Sequence, residues 1–78
     1  MPTVLRIEGF RFFFWPNEGN EPSHIHVEHQ SSYAKFWLSP VSLARARRFS
    51  ASELKRLHNI GHSKQTFFLE KWNEFFAR

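Results

Sequence analysis

The densest chemistry in the chain lies in Glu21-Pro22-Ser23-His24-Ile25-His26-Val27-Glu28. After Pro22 the run alternates polar and apolar, the pattern of a half-buried β-strand. Side chains two apart on a strand share a face. His24, His26 and Glu28 therefore project to one side, Ile25 and Val27 to the other. Two adjacent imidazoles, a carboxylate in line, and Glu18 and Glu21 in the preceding loop can act in three ways. They can move protons: attack by a ribose 2′-hydroxyl needs a base, an acid and a cation for the phosphate, and His24, His26, Glu21, Arg11 and Lys35 are the matching groups if the strand faces align. They can hold a metal, with Glu28, Glu21 or His29 as a third ligand. No third ligand has a diagnostic spacing, so no metal and no cofactor is expected. They can also simply pack the loop. Spacing alone does not choose among the three.

The elements that must position these groups come from periodicity. Thr3 to Glu8 alternates, Gly9 permits a turn, and Phe10-Arg11-Phe12-Phe13-Phe14-Trp15 is strongly β-prone. Phe10, Phe12 and Phe14 share one face, and Arg11, Phe13 and Trp15 the other, so this strand belongs in the interior of a sheet. Pro16 and Pro22 bracket a polar loop. His24 to Glu28 is the third strand. Tyr33-Ala34-Lys35-Phe36-Trp37-Leu38 is the fourth, ended by Ser39-Pro40. Val41 to Arg48 reads equally as a short edge strand or a helical turn, and it carries the basic cluster Arg45, Arg47 and Arg48.

Ser50-Ala51-Ser52-Glu53 is a capping box. Beyond it Leu54, Leu57, Gly61, Phe68, Trp72 and Phe75 fall on one helical stripe, flanked by Phe76. The stripe keeps its phase across Gly61, which predicts one long helix to about residue 77, roughly 40 Å at 1.5 Å per residue. A kink at Gly61 is the alternative. His58 and His62, four apart on this helix, read as boundary residues. The expected fold is α+β: an antiparallel sheet of four to five strands with one long C-terminal helix packed on one face, residues 1–48 forming the sheet and 50–77 the helix of a single domain, 1–78.

The helix should take the more apolar strand faces. Arg6, Glu8, Arg11, Phe13, Trp15, His24, His26, Glu28, Tyr33, Lys35 and Trp37 then remain on an open face. Aromatic rings stack on unpaired bases, and Arg and Lys pair with phosphate. The same residues anchor protein partners. Phe13, Trp15, Tyr33, Trp37, Arg45, Arg47 and Arg48 are therefore the expected nucleic-acid or partner-binding set. Lys and Arg number 11 against 7 Asp and Glu, a formal charge of +4, with a pI near 10.1. That balance suits RNA or an acidic protein. There is no Cys, which excludes disulfides, thiolate metal sites and cysteine nucleophiles. Met1 to Arg6 holds no long apolar run, so neither a signal peptide nor a membrane span is expected, and a cytoplasmic location is the default.

The stretches Met1 to Phe14, Asn17 to Pro22, His24-Ile25-His26-Val27, Ala34 to Leu38 and Phe49-Ser50-Ala51 resemble a family of small bacterial proteins known as domain of unknown function 4160. The Glu-Pro-x-His-x-His-Val core carries most of that resemblance, at Glu21, Pro22, His24 and His26. The resemblance implies an α+β domain of bacterial or phage origin. Relatives are often encoded beside a second small protein, of domain of unknown function 2442, and the pair is regarded as a toxin–antitoxin module with this family as the toxin. It thus implies a toxin acting on RNA or translation, with ribonuclease-like activity the leading reaction, and a small antitoxin-like protein encoded nearby as partner. A non-catalytic nucleic-acid- or protein-binding regulator is the alternative, and a homodimer stays open.

Overall fold

The computed structural model describes residues 3–77. Met1, Pro2 and Arg78, and with them the first two residues of the N-terminal run, lie outside the described residues. The element order is β1 (Thr3–Ile7), β2 (Phe10–Phe13), β3 (His24–His29), β4 (Ser32–Leu38), β5 (Val41–Arg47), α1 (Ala51–Ser63) and α2 (Gln65–Phe76). The strands form an antiparallel sheet in the order β1-β2-β3-β4-β5. Each strand pairs with its neighbour in sequence through a short hairpin turn, except that a ten-residue loop, 14–23, joins β2 to β3. Between β1 and β2, Glu8 and Gly9 have φ of 55° and 88°, the positive values that the tightest hairpin turns require. The ambiguous stretch after Pro40 is an edge strand, β5, whose register shifts between Lys35 and Phe36 on its partner.

The apolar alternation sorts the faces as expected. Phe10, Phe12, Phe14, Ile25, Val27, Ala34, Phe36 and Leu38 form one cluster with Leu57, Phe68 and Trp72 of the helices. Burying each large side chain contributes about 1.5–3 kcal/mol, so this face outweighs any single polar contact in holding the layers together. Phe12 meets Phe68 at 5.2 Å and Phe14 meets Trp72 at 5.4 Å between ring centroids.

One expectation is corrected. The helical segment is two helices, not one long helix, and the break falls at Lys64 rather than at Gly61. Lys64 has φ −104° and ψ 14°, outside the helical range. The amide side chain of Gln65 donates to the Leu38 carbonyl at 2.7 Å, tying the joint to the end of β4. The stripe survives the break: Leu57 and Gly61 before it, and Phe68 and Trp72 after it, are all buried. Gly61 serves close approach, since a Cβ there would lie 3.3 Å from Val41 Cγ1. The capping box forms, with Glu53 N–H donating to Ser50 Oγ at 3.1 Å and Ser50 N–H to Glu53 Oε1 at 2.8 Å. No helix among the described residues is long and apolar enough to cross a membrane.

Candidate functional site

Cross-strand pairing lines up the second sheet face in rows, because directly opposed residues share a face. One row runs Arg6, Arg11, Glu28, Tyr33, Arg47 across all five strands, and the next runs Thr3, Phe13, His26, Lys35, Arg45. In a third, His24 opposes Trp37, which opposes Ser42. The sequence-predicted residues other than Glu21 and Arg48 thus do gather on or beside one face. Glu21 sits in the loop above it. Arg48 lies past the end of β5 at φ 67°, where its carbonyl accepts from Ser32 Oγ.

The face is not open along its whole length. After Phe14 the chain leaves the sheet, turns with the Glu21 N–H donating to the Glu18 carbonyl at 3.1 Å, and returns to β3, where Ser23 O accepts from Leu38 N–H at 3.0 Å. The loop between lies over the histidines. Gly19 lets it settle: a Cβ there would stand 2.5 Å from Cδ1 of Phe76, so the α2 ring and the loop backbone pack only without a side chain. This places Glu18 between the two imidazoles. Its Oε1 is 2.7 Å from Nε2 of His24 and 2.7 Å from Nε2 of His26. The outer ring nitrogens are held as well, His24 Nδ1 by the Pro22 carbonyl at 2.9 Å and His26 Nδ1 by the Tyr33 hydroxyl at 2.8 Å.

Two site expectations are therefore revised. His24 and His26 are buried, at 0% and 2% exposure, and so is Phe13 at 2%. These residues form the floor beneath the loop rather than an open contact surface. The His26 ring stacks on Phe13 and on Tyr33, with centroids 5.5 and 5.8 Å away. His24 lies against Trp72 and Trp37, at 4.9 and 5.6 Å. The second revision concerns the carboxylate. Glu21, expected to orient a histidine or act as base, is tied to Lys35 Nζ at 2.9 Å and reaches only 3.9 Å from His24 Nδ1. Glu18 holds the orienting position. Sequence reasoning saw both loop acids and chose Glu21, because the turn that selects Glu18 depends on Gly19 and Phe76.

The environment shapes the acidities. Burial pushes the Glu18 carboxyl up, but hydrogen bonds from His24 and His26 outweigh it and leave the group below the ordinary range. Burial holds the His26 ring below the ordinary imidazole value despite the opposing pull of Glu18. Burial also raises the Tyr33 phenol, opposed by Arg45. Among the described residues no buried side-chain polar atom lacks a partner.

The two expected phosphate cations are engaged. Arg11 bonds Glu28 Oε2 at 2.9 Å and lies over the Phe13 ring, while Lys35 bonds Glu21 and lies over Trp37. Arg45 and Arg47 are exposed and form no ion pair among the described residues, and Trp15 is 37% exposed beside the loop. His29 lies tilted against Phe10, and Glu28 pairs with Arg11, so neither of these alternatives joins the imidazole pair. His58 is used differently again, its Nε2–H donating to the Val41 carbonyl and pinning α1 to β5.

A family model described as Domain of unknown function (DUF4160) matches residues 9–73, which include the loop, His24 and His26, all of α1 and most of α2. No curated protein and no solved structure matches the chain.

Proposed function

The chain belongs to the DUF4160 family, and we propose that it is the toxin-like component of a bacterial toxin–antitoxin pair, acting in the cytoplasm on RNA through the sheet face opposite the helices. The observation that carries this reading is the cross-strand row Arg6, Arg11, Glu28, Tyr33, Arg47 with Lys35 and Arg45 beside it. Five cations with Trp15, Tyr33 and Trp37 close by suit a phosphate backbone and unstacked bases. Glu28 and Glu21 neutralise Arg11 and Lys35, so the phosphate contacts fall to Arg6, Arg45 and Arg47. Three such contacts correspond to a slope of about −2 in log K against log salt for a single strand. An acidic antitoxin covering the same face would compete with RNA by the same charges.

The test is induced expression in a bacterium of the wild type and of R45A/R47A at matched soluble levels, alongside fluorescence anisotropy with single-stranded RNA. Growth arrest by the wild type alone, together with RNA affinity lost in the variant, is the expected result. Arrest by both would mean that this face is not what harms the cell. No arrest by either removes the toxin reading.

Burial of the imidazoles favours a second, non-catalytic reading, in which His24 and His26 hold the face in shape and binding alone produces the effect. A ribonuclease-like reaction instead requires the Tyr33–His26–Glu18–His24 chain of hydrogen bonds to reach substrate at Glu18, whose side chain keeps 24% exposure. Glu18→Gln separates the two: it abolishes cleavage of labelled RNA while sparing affinity if the reaction exists, and changes nothing on RNA if it does not.

A further inference from the structure

We propose that Glu18, His24 and His26 form a binding site for a divalent transition metal of borderline softness, zinc above all, with an open coordination position on the Glu18 side. This inference does not rest on the RNA reading, because it concerns the buried trio and its readout is metal itself.

Three observations carry it. One ligand atom from each of the three residues lies within 4.8 Å of the others, so they converge on a single point. A tetrahedral zinc with bonds near 2.0–2.1 Å wants donors about 3.3 Å apart. The Glu18 oxygen stands 2.7 Å from both Nε2 atoms, and a swing of roughly 0.6 Å by this loop side chain opens that spacing.

The second observation is the tautomer. The Pro22 carbonyl can only accept, so the His24 Nδ1 that faces it at 2.9 Å carries the hydrogen. With that single hydrogen on Nδ1, Nε2 turns a lone pair toward the Glu18 carboxylate, and donation to Glu18 requires a second proton on the ring. Two acceptors at 2.7 Å need a cation between them, either a proton or a metal.

The third is the outer shell. A metal-bound imidazole characteristically donates its other N–H to a carbonyl, hydroxyl or carboxylate. His24 has the Pro22 carbonyl and His26 the Tyr33 hydroxyl for that purpose. The rings are 0% and 2% exposed, whereas the Glu18 side chain retains 24%, so solvent meets the trio from the carboxylate side. The adjacent ammonium of Lys35 is neutralised by Glu21. Two histidines and one carboxylate leave room for further ligands, the arrangement of catalytic zinc and of non-haem iron sites.

The experiment uses the full chain without a polyhistidine tag. Zinc content is measured by elemental analysis after growth in zinc-supplemented medium. Zinc titration then follows on chelator-stripped protein, and cobalt substitution is read by visible d–d absorption. One equivalent of zinc and tetrahedral cobalt bands are expected. Glu18→Gln, a loop change that keeps the size and polarity of the side chain, should abolish the cobalt bands and weaken zinc by 100-fold or more. Tyr33→Phe, which removes only the acceptor behind His26, should weaken zinc by about 10–100-fold. Circular dichroism confirms folding of both, so the result does not depend on a histidine variant surviving. The proposal is overturned if the stripped protein takes up no zinc, cobalt, iron or manganese. It is equally overturned if binding persists in Glu18→Gln and disappears in H58A/H62A, which would assign the metal to the exposed helical pair.

Discussion

At the His24 end of the sheet face, imidazoles, a carboxylate and a phenol lie under a loop, each side-chain nitrogen partnered and each ring walled by aromatics. At the β5 edge of the same face, Arg45 and Arg47 stand in solvent with no ion pair among the described residues. Both regions have alternating polar residues in sequence, and both look from sequence like parts of one working surface. Burial separates them. A desolvated polar group must find a partner, because leaving it unpaired costs about 1–3 kcal/mol, whereas a guanidinium in water stays available for whatever anion arrives. The first region therefore couples its chemistry to the stability of the fold, and the second does not.

That contrast can be broken most forcefully at His24. His24→Ala should destabilise by about 2–4 kcal/mol, from the cavity and from the stranded Glu18 and Pro22 acceptors, with an unchanged urea slope. A loss below about 1 kcal/mol would show that the ring is not part of the structural floor. Next is Gly19→Ala. Its new methyl meets Phe76 Cδ1 at 2.5 Å, and overpacking of this kind costs about 1–3 kcal/mol. Partial recovery in G19A/F76L, measured as a double-mutant cycle in urea, would tie the loop position to that ring. Tyr33→Phe comes third, at about 0.5–1.5 kcal/mol for one hydrogen bond, read from the same denaturation curves. R45A/R47A should leave the melting midpoint unmoved while flattening the RNA salt slope by about 1.4, two contacts at 0.7 each. A lowered melting point for that pair would erase the distinction between the two regions.

The fold was legible wherever a local pattern has a single physical solution. Alternation along Phe10 to Phe14 and Ile25 to Val27 named the buried face, since a strand has only two faces and the apolar one is driven inward. The stripe through Leu57, Gly61, Phe68 and Trp72 named the buried side of the helices for the same reason, and the capping box marked where they start. The break at Lys64 was not legible: the residues around it keep helical phase, and the hydrogen bond that ties Gln65 to the end of β4 joins groups 27 residues apart. β5 was ambiguous because an edge strand has one partner and little of its sequence need be buried.

For the site, sequence alone determined that His24 and His26 lie side by side, that cations and aromatics share their face, and that an acidic loop precedes them, because a two-residue repeat and chain adjacency fix those relations. Only the tertiary structure decided that the loop closes over the imidazoles, that Glu18 rather than Glu21 stands between them, and that Arg11 and Lys35 are already neutralised. Each of those outcomes depends on groups distant in the chain meeting at one place — Gly19 against Phe76, His26 against Tyr33, Glu28 against Arg11 — and no local repeat records such meetings.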